Sequence, residues 1–208
     1  MIFRDRKDAA SRLAEALAQY RGQHPLVLAI PRGAVPMAKI IAEALGGEVD
    51  VVLVRKLRAP DNPEFAIGAV DETGWTYLGD YAEHVAGSSQ YIEAEKEMQL
   101  KVMRERRASY TPVRPPLDPA GRIVIVVDDG LATGSTMIAA LHALRAKSPQ
   151  KLICAVPVAP PDTLGKVEPY ADEVVCLSAP AMFYAVGQFY QSFPQVSDEE
   201  VIALLAAD

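Results

Sequence analysis

Cysteine and histidine, the residues of most zinc sites and disulfide frameworks, are scarce in this sequence. Its 208 residues include two cysteines and three histidines. Cys154 and Cys176 each lie inside an apolar run, and no metal-type spacing involves them, which disfavours a zinc centre or a disulfide-bonded scaffold. We therefore expect reduced thiols buried in strands, as in a cytoplasmic protein.

The chain also lacks long apolar runs and an excess of positive charge. No stretch approaches the roughly 20 apolar residues of a membrane span, and residues 1–7 lead straight into charges without the apolar core of a signal peptide. The formal net charge of −6 gives no long-range attraction to a phosphate backbone. These absences predict a soluble, cytoplasmic protein that binds neither membranes nor nucleic acid. The length suits a single domain.

Short apolar runs alternate with helical patterns along most of the chain. Runs typical of strands buried on both faces occupy residues 26–30, 49–54, 123–127, 152–158 and 173–177. Helical periodicity covers residues 10–20, 35–45 and 136–146. This alternation predicts an α/β fold, with a doubly wound, mostly parallel sheet flanked by helices.

The middle of the chain has a different pattern. Residues 65–70 and 75–78, separated by a glycine-containing turn, predict a β-hairpin. Residues 91–107 predict a solvated surface helix with Ala94, Met98 and Val102 on its apolar stripe. A proline-rich connector follows at residues 112–119.

Residues 126–136, which read VVDDGLATGST, place two acids at the end of a buried strand and a small, hydroxyl-rich loop before a helix. Ligands bind at this edge of an open α/β sheet, and free amides at a helix N-terminus bind phosphate. Carboxylates accept hydrogen bonds from paired sugar hydroxyls. The combination predicts a site for a ribose 5-phosphate, whereas the alternative is an ordinary turn and helix cap.

This segment closely resembles the phosphoribosyl pyrophosphate motif of the type I phosphoribosyltransferases. The resemblance implies that Asp128 and Asp129 hold the ribose hydroxyls. It also assigns the 5′-phosphate to Ala132, Thr133, Gly134, Ser135 and Thr136. At Gly130 the family usually has a branched apolar residue, and we expect glycine there to leave the loop more flexible without removing a contact.

Two further elements match the same family. By resemblance, Arg32 and Gly33 form the pyrophosphate loop after the first core strand, where the family often has a cis non-proline peptide. Lys56 is the first candidate for the cation that meets the leaving pyrophosphate, and Arg58 is expected to assist from a mobile loop. The alternatives are a common Pro-Arg-Gly turn and a solvated basic strand end. The catalytic set is thus Lys56, Arg58, Asp128 and Asp129.

The resemblance covers a core of about residues 24–178 within a single domain of residues 1–208. It implies a helical insertion at about 79–120 and a small C-terminal hood at about 179–208. The segment that contains Arg55-Lys56 is similar to the corresponding Arg-Lys stretch of adenine phosphoribosyltransferases. Further segments, at 55–57, 62–64, 66–69 and 185–190, are similar to a little-characterised group of bacterial phosphoribosyltransferase-domain proteins.

Aromatic residues are concentrated after the last predicted strand. The candidates for a hood over the acceptor are Phe183, Tyr184, Phe189 and Tyr190, with Phe193 close by. Flat rings stack on bases and exclude water. The alternative is that these rings simply pin the C-terminal segment to the core.

The family resemblance implies an enzyme that transfers the phosphoribosyl group from 5-phosphoribosyl 1-pyrophosphate to a small nitrogen acceptor, a nucleobase by first choice. Mg²⁺ is the implied cofactor, without an assigned protein ligand, and a homodimer is the default expectation. Ala132 stands where hypoxanthine-guanine enzymes have an acid, which disfavours a 6-oxopurine unless Glu64, Asp71 or Glu72 substitutes. The alternative function is a non-catalytic regulator that senses phosphoribosyl pyrophosphate or a nucleotide.

Overall fold

The structure is a computed structural model that describes residues 1–80 and 82–207. Its strands are β1 (Leu26–Ala29), β2 (Glu48–Val51), β3 (Val54–Arg58), β4 (Ala66–Asp71), β5 (Thr76–Leu78), β6 (Ile123–Val127), β7 (Lys151–Val158) and β8 (Glu173–Ser178). Its helices are α1 (Arg6–Ala16), α2 (Ala34–Leu45), α3 (Ala82–Ala86), α4 (Ser89–Tyr110), α5 (Ser135–Arg145), α6 (Pro161–Val167) and α7 (Asp198–Ala206).

Five strands form a parallel sheet in the order β2-β1-β6-β7-β8, and β3-β4-β5 form a small antiparallel sheet. Side chains alternate between the two faces of the parallel sheet, as the period of a strand requires. In β6, Ile125 and Val127 pack into the cluster that includes α1 and α2, whereas Val124 and Val126 pack into the cluster that includes α5. The predicted α/β class with a mostly parallel sheet flanked by helices is therefore confirmed.

The apolar run of residues 49–54, predicted as one strand, is divided between the two sheets. After β2 ends at Val51, the Val52 amide donates to the Ala29 carbonyl at 3.0 Å, and Val54 then begins β3. Every residue of the run is buried, so hydrophobicity alone does not mark the break. The break directs the basic residues of β3 away from the parallel sheet and into the antiparallel one.

The predicted stripe of the surface helix is wrong. Ala94 and Met98 are exposed on α4, with Met98 at 54%, and Val102 is only half-buried. The buried face lies at Ile92, Glu95, Gln99, Met103 and Tyr110. The helix is thus a packed element, and two of its polar residues are buried because they pair with arginines of β3.

Both cysteines are free thiols, as predicted, with Cys154 buried and Cys176 half-buried. Burial raises the pKa of each thiol, which favours the inert, protonated form at neutral pH. Across residues 1–80 and 82–207, no helix has both the length and the apolar character that crossing a membrane requires.

Candidate active site

The predicted ligand loops meet at the carboxyl edge of the parallel sheet. β1 and β6 are neighbours, and the chain leaves them in opposite directions, to β2 on one side and β7 on the other. Such a switch point is where open α/β sheets bind ligands. The loop after β1 contains Arg32 and Gly33, and the loop after β6 contains Asp128 and Asp129. A Cβ built on Gly33 would lie 2.4 Å from the Asp129 Oδ2 atom, so the two loops are in direct contact.

Asp128 and Asp129 form a closely spaced pair of carboxylates. Oδ1 of Asp128 accepts a hydrogen bond from the Asp129 amide at 2.9 Å. Burial, and then the charge of Asp129, raise the pKa of Asp128 well above its usual value, while the nearby Lys56 ammonium acts in the opposite direction. Burial also raises the pKa of Asp129, against the influence of Arg6. The two acids are therefore held in a partly desolvated place with one cation near each.

Arg6 is a site residue that the sequence did not reveal. It begins α1, after Asp5 has capped the helix by accepting a hydrogen bond from the Asp8 amide at 2.8 Å. Its guanidinium lies 3.3 Å from Asp129 Oδ2. The helical pattern of residues 10–20 indicated only packing, because no local signal links Arg6 to an acid 123 positions away.

The proposed phosphate loop ends at the N-terminus of α5. Gly134 is the N-cap residue, with φ of +82°, so no capping side chain covers the helix end. A Cβ there would lie 2.8 Å from Thr163, and the Thr163 hydroxyl donates to the Ala132 carbonyl at 2.6 Å. Thr133 is exposed and its Oγ1 accepts from the Ser135 amide at 3.4 Å. Thr163 thus holds the loop in place, while Thr133 remains exposed at its surface.

Gly130 makes room for Val186 in the C-terminal segment, residues 179–208. The residue is buried, and a Cβ built on it would lie 2.6 Å from Val186 Cγ1 and 3.0 Å from Val158 Cγ1. The branched residue that is usual in the family would collide with both neighbours. The departure from the family pattern is therefore explained by this packing.

The loop after β1 has the predicted backbone form, since the Pro31–Arg32 peptide bond is cis. The Arg32 side chain is half-exposed, and its Nη1 lies 3.9 Å from Asp198 Oδ2 at the start of α7. Tyr110 donates to the other oxygen of Asp198 at 3.0 Å. The predicted pyrophosphate loop is thus linked to the C-terminal helix.

The basic residues of β3 have different environments. Lys56 is exposed, as a cation that meets a ligand should be. Arg55 donates to Gln99 at 2.9 Å and Arg58 to the buried Glu95 at 3.1 Å. The expectation that Arg58 works from a mobile loop is wrong, because it is the last residue of β3 and is held by an ion pair.

These arginines belong to a wider positive cluster. Burial lowers the pKa of Arg55, and the charges of Arg106, Arg58 and Arg32 lower it further. Like charges brought this close raise the local positive potential and favour an anionic ligand beside the β1 loop.

The predicted hood aromatics divide into two groups. Phe189 and Tyr190 are 7% and 6% exposed, and the Tyr190 hydroxyl donates to the Asp129 carbonyl at 2.6 Å. Phe183 is half-buried against Phe189, with ring centres 5.1 Å apart, whereas Tyr184 is 79% exposed. Packing accounts for Phe189 and Tyr190, and of the four predicted hood residues only Phe183 and Tyr184 keep substantial exposed surface.

A cavity of about 790 Å³ lies elsewhere in the fold, lined by Asp71, Glu72 and Arg107, and by Leu144 in the last turn of α5. None of the residues predicted to bind the donor lines it. Because α5 begins at the phosphate loop and has 11 residues, its ends are about 16 Å apart. The convergent loops, with their charges and helix end, are therefore a better candidate site than the cavity is.

Similarity to known proteins identifies the family of this chain. Residues 2–193 match the family model described as "Phosphoribosyl transferase domain". The chain is 43% identical over 207 residues to the Mycobacterium tuberculosis H37Rv protein named "Putative phosphoribosyl transferase Rv0571c", and likewise to the protein MT0597 of strain CDC 1551. The match covers 98% of this chain and 46% of each relative, so the chain spans less than half of their length.

Among solved structures, the chain is similar to TT1426 from Thermus thermophilus. The two are 48% identical, with a TM-score of 0.81, and the match covers 99% of this chain and 98% of that one. The antiparallel sheet and the C-terminal segment are therefore included in the similarity, along with the parallel core. From the family match over most of its length, the chain belongs to the phosphoribosyl transferase domain family.

Proposed function

We propose that the chain transfers the 5-phosphoribosyl group from 5-phosphoribosyl 1-pyrophosphate to a nitrogen acceptor, with release of pyrophosphate. The contact between Gly33 and Asp129 carries this proposal. It brings a phosphate-binding helix end, a pair of carboxylates and a positively charged loop to one edge of the sheet. The donor presents a phosphate, two hydroxyls and a pyrophosphate in that same order.

Each part of the donor has a counterpart in the chain. The 5′-phosphate would bind the loop of residues 132–136, where amides and the positive end of the α5 dipole meet an anion. Asp128 and Asp129 would accept hydrogen bonds from the ribose hydroxyls. The pyrophosphate would lie against Arg32 and Gly33, close to Lys56.

Catalysis would depend on charge that develops during bond cleavage. As the bond from C1′ to the pyrophosphate oxygen breaks, negative charge grows on the leaving group and positive charge grows on the sugar. Lys56, exposed and near Asp128, can move to the leaving group and stabilise the transition state more than the ground state. Arg58, held by Glu95, would add positive potential from a fixed position.

Mg²⁺ fits the site as a companion of the donor. In residues 1–80 and 82–207, no group of three or more His, Cys, Asp or Glu side chains could hold a metal ion. Mg²⁺ commonly binds through substrate phosphates and water, with few protein ligands. When bound, the ion would neutralise pyrophosphate charge in a protein whose net charge is −6.

The acceptor is proposed to be a nucleobase without a 6-oxo group, adenine by first choice. Ala132 offers no acid for proton transfer, and two of the three candidate substitutes are engaged elsewhere. Asp71 accepts from Thr73 and Trp75 in the hairpin turn, and Glu72 pairs with Arg107 at 2.6 Å. Phe183 and Tyr184 would stack on the base.

A pyrophosphate-release assay with a panel of acceptors tests the proposal. Adenine, hypoxanthine, guanine, xanthine, uracil, orotate and small amines would each be tested with donor and Mg²⁺, and Thr133→Val would control for contaminating enzymes. We expect release with at least one base, weak release with hypoxanthine and guanine, and none from the variant. Tight donor binding without release for any acceptor would instead favour a sensing regulator.

A further inference from the structure

Arg6 connects the N-terminal helix, the acid pair and the C-terminal segment. Its Nε and Nη2 atoms donate to Asp129 Oδ2 at 3.4 and 3.3 Å. Nη1 donates to the Pro194 carbonyl, and the guanidinium lies over the Phe193 ring, 4.0 Å from its centre. The side chain is 12% exposed. An arginine with both edges and one face engaged has little freedom to reorient.

Asp129 is in turn held by its backbone as well as its carboxylate. Its carbonyl accepts from the Tyr190 hydroxyl at 2.6 Å, only four residues before the carbonyl that Arg6 contacts. Arg6 and Tyr190 therefore clamp Asp129 to the segment of residues 190–194. Gly33 borders the same clamp, since a Cβ built there would lie 2.9 Å from Arg6 Nη2.

We propose that Arg6 is a positioning residue that orients the Asp129 carboxylate for the ribose and fastens residues 190–194 to the donor site. The inference rests on the proposed function for the identity of the donor. Through this one side chain, it assigns to the N-terminal helix a part in substrate binding.

Electrostatics supports the geometry. The titratable and charged groups that face Asp129 are Asp128, Arg6 and the Tyr190 hydroxyl, with Lys56 acting on Asp128. Lys56 is exposed and able to follow the pyrophosphate, whereas Arg6 is fixed. Arg6 is thus the permanent counter-charge of the Asp128–Asp129 pair. Without Arg6, the two carboxyls would share a proton, and the protonated oxygen could no longer accept a hydrogen bond from the ribose.

The test uses Arg6→Gln, Arg6→Lys and a matched control on the same helix, Arg12→Gln, which removes a charge paired with Asp8 at 3.2 Å. The first readout is ¹³C NMR titration of the aspartate carboxyls in the ligand-free protein, from about pH 3 to pH 8. The second is hydrogen exchange at Gln191 and Ser192, whose amides donate to the Phe3 and Arg4 carbonyls at 2.8 and 2.9 Å. The third is the affinity for phosphoribosyl pyrophosphate with Mg²⁺, measured calorimetrically.

For Arg6→Gln we expect the apparent pKa of the acid pair to rise by roughly one unit or more, with faster exchange at both amides. Donor affinity should fall by roughly tenfold or more, because the charge-assisted contact that orients the Asp129 carboxylate for the ribose is lost. The loss of affinity should grow as the pH falls. Arg6→Lys should recover part of each effect, and Arg12→Gln should match the wild type.

An unchanged titration of the acid pair in Arg6→Gln would overturn the proposal, as would unchanged donor affinity in a variant whose titration had moved. If the wild type itself bound no phosphoribosyl pyrophosphate, the proposed function would fail. The titration and the exchange rates would still decide whether Arg6 positions Asp129 and the C-terminal segment.

Discussion

Gly33→Ala adds one methyl group at the point where the two ligand loops touch. The new Cβ would lie 2.4 Å from Asp129 Oδ2, 2.9 Å from Arg6 Nη2 and 3.1 Å from Arg6 Nε. Ordinary contact begins near 3.4 Å, so the Asp129 oxygen must move by about 1 Å. Neither side chain yields freely, because each is held by the other and by the C-terminal segment.

Two opposing effects set the size of the change in stability. Gly33 has helical angles, φ −59° and ψ −29°, so alanine would by itself stabilise the fold by about 0.4–1 kcal/mol through the unfolded state. Overpacking typically costs about 1–3 kcal/mol. The clash should win, with a net loss of about 1 kcal/mol and a fall in Tm of about 2–4 °C for a chain of this size. Activity should fall much further, by roughly 10²-fold, because a 1 Å displacement disturbs the ribose acid.

Urea unfolding and the pyrophosphate-release assay together measure this prediction. Gly165→Ala is the matched control, since it lies within α6 and a Cβ there meets nothing within 4 Å. We expect the control to be neutral or stabilised by up to about 1 kcal/mol, with full activity. If Gly33→Ala behaved like Gly165→Ala in both assays, the proposed contact between the loops would be refuted.

Three further predictions follow from the same site. Asp128→Asn should raise Tm at neutral pH, because the raised pKa of Asp128 makes its ionised form destabilising as pH rises above 3.8. Calorimetric scans at about pH 3 should show no gain in Tm. Asp129→Asn should raise Tm less, because its partner Arg6 loses a counter-charge. Lys56→Ala should lower kcat by roughly 10²-fold with a smaller change in donor affinity and an unchanged Tm, so an intact kcat would exclude Lys56 from catalysis. Phe189→Ala should lower the free energy of unfolding, measured in urea, by about 3–5 kcal/mol. Tyr184→Ala should change the free energy of unfolding by no more than about 0.5 kcal/mol and should raise the acceptor KM. Equal losses of stability in the two variants would contradict the division of the aromatic residues into two groups.

The parallel core was predictable because its strands are marked by local composition. Ile123–Val127 is a run of β-branched residues, and such a run has few alternatives to a strand buried on both faces. The loop of residues 128–136 was equally visible, since its acids, hydroxyls and glycine are contiguous. These features are local, and local features are what a sequence pattern reports.

Other features depend on tertiary contacts that no short pattern contains. Arg6 reaches Asp129 only because α1 packs beside the switch point of the sheet. Glu95 and Gln99 are buried on α4 because they pair with the arginines of β3. A helix that looks solvated from its charges therefore buries two polar residues beside apolar ones. Hydrophobic periodicity assumes that polar and charged residues are exposed. It therefore predicted the apolar stripe of α4 one position away from the face that is buried.

The contact between Gly130 and Val186 has a consequence for how sequences of this kind can change. Space at position 130 is limited mainly by Val186 and also by Val158, so a larger residue at position 130 requires a smaller one at position 186 or a shift of the C-terminal segment, together with a small movement of Val158. Gly130→Ala alone should weaken folding, and Val186→Ala added to it should restore part of the loss, which a double-mutant cycle would show as a favourable coupling energy. In relatives with a branched residue at position 130, we expect a smaller residue at position 186 or a displaced C-terminal segment, so these two positions would change as a pair.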